Sequence, residues 1–209
     1  HAAEKLGRNW IGIDITHLAI SLISKRLHEA FPECTFAVEG TPKDVESARY
    51  LANQEPNGRY QFQYWAIGLV DAMPANDKKK GADGGIDGFA WAYADPHNVK
   101  PFKIIYSVKS GKIPANHIRE LGGMLGKNSV EICVLLTLEE PSRVMVKEAL
   151  TYGDFEYPNG KRFPHIQILT VQELLNGKRP QFLDYGEGKA MPKKAQKEKT
   201  PPSMTQGKL

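Results

Sequence analysis

Two stretches that lie close together in the sequence decide the fold: Gly81-Ala-Asp-Gly-Gly-Ile-Asp87-Gly88 and Phe102-Lys-Ile-Ile-Tyr-Ser-Val-Lys109. The first ends a polar, glycine-rich loop, and the second is an apolar run of strand length. We predict strands over residues 86–93 and 102–109. The short connection Asp95-Pro96-His97-Asn98 between them predicts a hairpin.

This hairpin is expected to place a carboxylate beside an amine. Residues two apart in a strand project from the same face, so Ser107 and Lys109 can both point toward Asp87 on the neighbouring strand. A carboxylate can hold a hard divalent cation that activates water and neutralises phosphate charge. Lysine can then stabilise the transition state, and the glycines around Asp87 let a phosphate backbone approach closely. These residue types therefore suit metal-assisted phosphodiester hydrolysis.

The flanking patterns predict an alternating α/β unit over residues 59–180, in the order α-β-β-α-β-α-β. The further helices and strands are predicted from their hydrophobic periods and their capping and turn residues: helices at 60–73, 116–125 and 142–152, strands at 130–138 and 166–169, and a short helix ending at 177. Upstream we predict a strand at 10–15 and, after the N-cap Thr16, a helix to residue 31. Residues 33–58 are expected to be a linker with a helix at 43–53.

Composition bounds the class of protein. The chain has 209 residues, of which 41% are hydrophobic and 25% charged, values typical of a globular protein. No apolar run approaches the roughly 18 residues that a membrane span requires. The net charge of +4 lies largely in residues 181–209, which we predict to be a disordered basic tail. Cys34 and Cys133 are far apart, which argues against disulfides and structural zinc and favours a cytoplasmic protein.

The motif from Asp83 to Gly88, followed by Ser107-Val-Lys109, resembles the Mrr-like branch of the PD-(D/E)XK restriction endonucleases. The resemblance implies a restriction-endonuclease-like mixed β-sheet flanked by helices. It also implies that Asp87 binds the metal, that Lys109 is catalytic, and that the Val108 carbonyl and Asp83 are further ligands. Magnesium or manganese is then the expected cofactor and double-stranded DNA the expected substrate. A homodimer is left open.

Two residues depart from the pattern of that class. Ser107, which is counted with Asp87 and Lys109 among the candidate catalytic residues, stands where the class carries Asp or Glu. Gln63 stands where a helix-borne Glu often coordinates metal. Asp83 or Asp71 could substitute as ligands. The alternative is a catalytically weak or inactive DNA-binding module that serves an attached DNA methyltransferase. On either interpretation the expected DNA contacts are a loop cluster and two residues in or just before the second helix of the unit: Lys78, Lys79, Lys80, Lys112 and Arg119.

The first thirty-two residues carry a second resemblance. The stretch from Leu6 to Ile15, with Lys25-Arg26-Leu27 on the following helix, resembles the C-terminal end of a DNA amino-methyltransferase that modifies adenine N6 or cytosine N4. The resemblance implies that Asp14 bonds the ribose of S-adenosylmethionine. Since the glycine-rich loop and the Pro-Pro-Tyr-type motif are missing, we expect cofactor binding only in a full-length parent. The scattered histidines, His28, His97, His117 and His165, show no metal-ligand spacing and receive no predicted role.

Overall fold

The computed structural model describes residues 1–75, 85–95, 97, 100–114 and 116–185. Within those residues no helix is long and apolar enough to cross a lipid bilayer. The α-helices, in chain order, are α1 (Ala2–Lys5), α2 (His17–Ala30), α3 (Val45–Asn53), α4 (Gly58–Leu69), α5 (Asn116–Gly122), α6 (Arg143–Leu150) and α7 (Val171–Leu175). The strands are β1 (Met73–Pro74), β2 (Gly88–Ala92), β3 (Phe102–Lys109), β4 (Val130–Thr137), β5 (Asp154–Glu156), β6 (Arg162–Pro164) and β7 (Ile166–Thr170).

A five-stranded sheet with the order β1-β2-β3-β4-β7 forms the centre of the fold. β2 runs antiparallel to both β1 and β3, whereas β3, β4 and β7 are parallel to one another. Helices pack on both faces. The predicted α/β class, a mixed sheet flanked by helices, is therefore confirmed, as is the β2–β3 hairpin. β5 and β6 form a separate two-stranded hairpin that the sequence patterns did not predict.

Alternate residues of β3 face two hydrophobic clusters on opposite sides of the sheet. Ile104, Tyr106 and Val108 pack in the larger cluster, with side chains from α3, α4 and α7. Ile105 packs in the smaller cluster, with side chains from α5 and α6. By the same alternation Ser107 belongs to the side that carries α5. The polar end of β3 and the start of α5 therefore lie on one side of the sheet.

The helix before the hairpin ends earlier than predicted. α4 stops at Leu69, and Asp71 has a φ of +52°, which turns the chain out of the helix. Met73 then pairs with Phe89, and Pro74 pairs with Gly88. The prediction that the helix continues to residue 73 is therefore wrong, because pairing with β2 draws those residues into the sheet edge.

The predicted strand at residues 10–15 is also wrong. These residues form no strand, and the side chains of Ile11, Ile13 and Ile15 are 91%, 91% and 94% exposed. A strand needs a partner for its N–H and C=O groups, and none of the described residues pairs with this stretch. The helix that follows is confirmed: the Thr16 hydroxyl accepts from the Ala19 N–H at its N-cap.

The core extends beyond the predicted limits of the α/β unit. α3, from the expected linker, contributes Ala48 and Leu51 to the larger cluster. At the other end the chain packs against that cluster as far as Tyr185, past the predicted start of the tail at residue 181. Residues 186–209, the rest of the predicted tail, lie outside the described residues.

Candidate active site

The site is positioned by the end of the antiparallel β2–β3 ladder. Gly88 is paired with Tyr106, and the Asp87 N–H donates to the Tyr106 carbonyl at 2.8 Å. Asp87 therefore lies at the end of the ladder, next to the last paired residues. This register carries the carboxylate to the polar end of β3, as the strand alternation predicted.

The Asp87 carboxylate is held at both oxygens. Its Oδ1 accepts from the Gln63 side-chain amide of α4 at 3.0 Å, and its Oδ2 accepts from the Val108 N–H at 2.6 Å. Burial raises the pKa of Asp87 above its usual value, and the Val108 N–H and the positive charge of Lys109 partly offset that rise. Gln63, which replaces the expected glutamate, thus fixes the carboxylate that a second acid would repel.

The side chains of Lys109 and His117 both lie close to Gly85. A β-carbon placed on Gly85 would lie 3.9 Å from the Lys109 Nζ and 4.0 Å from the His117 Cε1. Gly85 also has a φ of +80°, a backbone conformation that residues other than glycine adopt only with strain. A larger residue here would be strained and would cover the ammonium group. Glycine therefore places no side chain against the Lys109 ammonium group.

His117 is the site residue that the sequence analysis missed. It lies in the first turn of α5 and is 5% exposed. Its Nε2 lies 3.1 Å from the hydroxyl of Ser107, which is fully buried, and its Nδ1 lies 3.0 Å from Glu120 Oε2. The sequence contained one signal that could have identified this residue. The i, i+3 spacing of His117 and Glu120 places both on one face of the helix that follows β3.

Of the other predicted DNA-binding and cofactor residues, the structure describes Arg119, Lys112 and Asp14. Arg119 forms an ion pair with Glu148 of α6 at 2.9 Å, whereas Lys112 is exposed in the loop before α5. The predicted cofactor residue Asp14 accepts hydrogen bonds from the Thr16 N–H and hydroxyl, both at 2.8 Å. That local turn occupies Oδ1 of the carboxylate that the resemblance assigns to a ribose. Lys78, Lys79, Lys80 and Asp83 lie outside the described residues.

One carboxylate and one main-chain carbonyl are the oxygen donors that the site offers to a divalent cation. Among the described residues no group of three or more His, Cys, Asp or Glu side chains could hold a metal. Asp87 supplies one carboxylate. The Val108 N–H points to Asp87, and since a residue's N–H and C=O share one edge of a strand, its carbonyl points to that edge too. Mg²⁺ is commonly bound through one or two carboxylates, with water and substrate phosphate completing its shell.

Asp71, the other acid considered as a ligand, lies elsewhere. Burial raises the pKa of the Tyr106 phenol, and the charge of Asp71 adds to that rise; the Tyr106 side chain packs on the face opposite Ser107. Its main-chain carbonyl accepts from Lys25 of α2 at 3.4 Å. Asp71 thus faces the α2 and α4 side of the molecule.

The fold and the site together define an α/β protein with a half-buried carboxylate, a lysine and a histidine at the end of a β-hairpin. Comparison of the chain with protein-family models, with curated proteins and with solved structures finds no match.

Proposed function

We propose that this chain contains a metal-dependent DNA endonuclease domain of restriction-endonuclease-like fold that hydrolyses phosphodiester bonds. The observation that carries the proposal is the meeting of Asp87, Val108 and Lys109 where the β2–β3 ladder ends. These are the residues to which the motif resemblance assigns metal binding and catalysis. The mixed sheet with helices on both faces agrees with the fold that the resemblance implies.

Each residue of the group has a chemical role in this proposal. Asp87 and the Val108 carbonyl would hold Mg²⁺ or Mn²⁺, which when bound activates water and neutralises phosphate charge. Lys109 places a positive charge where negative charge develops on the phosphate oxygens, and such a preorganised charge favours the transition state over the ground state. Gly85 adds no side chain over the Lys109 ammonium group, which the proposal assigns to the phosphate.

The same site supports a second candidate, a DNA-binding module without hydrolysis. Both oxygens of Asp87 already accept hydrogen bonds, from Gln63 and Val108, and Ser107 supplies no second carboxylate. A single carboxylate with engaged oxygens would bind a cation weakly. In this case the lysines would hold DNA for an attached methyltransferase, and S-adenosylmethionine would bind only in the full-length parent.

Cleavage of supercoiled plasmid with Mg²⁺ or Mn²⁺ tests the nuclease proposal. We expect nicking or linearisation by the wild type that is lost in Asp87→Ala and in Lys109→Ala. Lys103→Ala is the matched control, because Lys103 begins the same strand and projects from the same face, roughly 20 Å from Lys109 at about 3.4 Å per residue. The control is expected to cleave at the wild-type rate.

The outcomes separate the two candidates. Loss of cleavage in both site variants but not in the control supports the nuclease. Absence of cleavage in the wild type, together with DNA binding that persists in EDTA, favours the binding module. Equal cleavage by wild type and Lys109→Ala refutes the role given to this lysine.

A further inference from the structure

β7 forms an open edge of the central sheet. The strand order ends at β7, and none of the described residues forms a strand on its outer side. The Cys133 N–H of β4 donates to the His165 carbonyl at 2.8 Å, and in a parallel pair every second residue of a strand bonds to the same neighbour. Ile166 and Ile168 therefore direct their N–H and C=O groups away from β4. Such unpaired groups can bond a strand from another chain.

An apolar groove with a volume of about 340 Å³ follows this edge. On one face of the sheet it is lined by Val146 and Leu150 of α6, and on the other by Gln181, whose main-chain N–H donates to the Gln167 side chain at 2.7 Å. Val146 and Leu150 lie four residues apart, on one side of the helix. Their exposed fractions are 42% and 70%. An apolar helix side beside an open sheet edge is the pattern of an interaction surface.

We propose that this surface joins two copies of the chain, with β7 of one copy antiparallel to β7 of the other and the two α6 helices packed side by side. The sheet order places β4 between β7 and β3, so the interface does not include the site at the end of β3. The proposal is therefore independent of the proposed nuclease activity. It assigns a surface to the homodimer that the sequence left open.

The surface calls for both a strand and a helix in its partner. The main-chain groups of Ile166 and Ile168 need an extended chain. The exposed side of α6 lies in the helical layer above the sheet, so it is covered only by another element in that layer. A second copy offers both, because a twofold axis perpendicular to the sheet makes the strands antiparallel and keeps both helices on one face. Val146 of each copy then lies toward Leu150 of the partner copy.

The size of the surface predicts a weak and reversible dimer. The groove is lined by fifteen residues of each copy, whereas a standard interface uses roughly 20–30 residues a side. Interfaces at the low end of the size range are held weakly and form transiently. We therefore expect a dissociation constant of about 10 µM or weaker, so that monomer and dimer exchange as the protein is diluted.

Sedimentation velocity from about 1 µM to about 1 mM protein tests the proposal. The wild type is expected to change from monomer to dimer over this range. Val146→Glu and Leu150→Glu each place a carboxylate in the apolar interface and should weaken association by at least about tenfold. Val144→Glu is the matched control, because Val144 lies on the same helix, is 60% exposed and does not line the groove. It should associate like the wild type, and urea unfolding verifies that each variant is folded.

Amide hydrogen exchange locates the interface within the strand. At a concentration above the dissociation constant, the amides of Ile166 and Ile168 should exchange more slowly than in a dilute sample, because the partner strand accepts their hydrogen bonds. The amides of Gln167 and Leu169 point toward β4 by the alternation of the parallel ladder. They should exchange at the same rate in both samples and serve as the internal control.

Each result bears on the assigned surface. A wild type that remains monomeric up to about 1 mM overturns the proposal and leaves the groove to an extended segment of a different protein. A dimer that Val146→Glu does not weaken, or that Val144→Glu weakens as strongly, overturns the surface assigned here. Unchanged exchange at Ile168 in a dimeric sample overturns the pairing of the strands. These measurements use neither metal nor DNA, so the proposed nuclease is tested separately by plasmid cleavage.

Discussion

Replacing Asp87 by asparagine is expected to remove cleavage and at the same time stabilise the fold at neutral pH. Burial raises the pKa of Asp87 above the model-compound value of 3.8, so the folded state holds the proton to higher pH than the unfolded state does. Stability therefore falls as the pH rises from 3.8 through the folded pKa, and the penalty is fully present above it. Asparagine does not ionise and escapes this penalty.

The hydrogen bonds around Asp87 set the size of the effect. An asparagine Oδ1 can still accept from the Val108 N–H, now at 2.6 Å, and its amide can donate to Gln63 once the Gln63 amide turns over. With both contacts retained, the gain at pH 7 should be about 0.5–2 kcal/mol, the usual range for single stabilising changes. Asp87→Ala instead leaves the Val108 N–H without its partner, at a cost of about 1–3 kcal/mol.

Urea unfolding followed by tryptophan fluorescence, from below pH 3.8 up to pH 8, measures these differences. The expected order of stability at pH 7 is Asn, then Asp, then Ala at position 87, with the advantage of asparagine shrinking toward acid pH. Plasmid cleavage by the same samples should be absent in both variants. A wild type that is more stable than Asp87→Asn at pH 7, or a difference that does not change with pH, would refute the reasoning.

Two further predictions concern packing and thiol reactivity. A β-carbon on Gly88 would lie 2.5 Å from the Ile67 Cδ1 and 3.1 Å from the Met73 carbonyl, so Gly88→Ala should cost about 1–3 kcal/mol in urea unfolding. Ile67→Val removes the Cδ1 methyl, so in a double-mutant cycle it should recover part of the stability that Gly88→Ala loses. If the effects of the two substitutions on the free energy of unfolding are additive, the clash is excluded as the cause. Burial raises the pKa of Cys133 to about 12, so a thiol reagent at pH 8 should modify Cys34 in the folded protein and Cys133 only after denaturation.

Local sequence signals were sufficient for the central hairpin and for helices with clear caps. β3 has the bounds that were predicted, because its apolar run is bracketed by turn residues at both ends. α6 begins after Ser142, whose hydroxyl accepts from the Met145 N–H, as its capping residue indicated. These elements carry their boundary information within a few residues, so no tertiary contact was needed to place them.

The errors occur where distant contacts decide the structure. β1 is two residues long and exists because Met73 and Pro74 meet β2, a pairing that no local pattern indicates. Residues 10–15 have the apolar composition of a buried strand, yet the described residues offer them no pairing partner. Strand propensity reflects packing against neighbours more than an intrinsic backbone preference.

The sequence predicted only part of the candidate site, because distant contacts decide the rest of it. Asp87 and Lys109 could be placed together because strand alternation and a hairpin bring them together within one local unit. His117 could not, since its burial depends on α5 packing over the sheet beside Ile105. A histidine near the start of a polar helix is usually exposed, and only the tertiary contact with Ser107 distinguishes this one.

The charge of Asp87 gives a physical argument between the two candidate functions. A carboxylate close to a DNA phosphate repels it, and the repulsion is strengthened where burial excludes water. A module that only holds DNA would bind more tightly without this charge, so Asp87→Asn should then strengthen binding in EDTA. In a nuclease the carboxylate binds a divalent cation, and the cation in turn attracts the phosphate, so the repulsion between carboxylate and phosphate is replaced by attraction to the cation. For the nuclease, Mg²⁺ should strengthen DNA binding in the wild type and have little effect in Asp87→Asn.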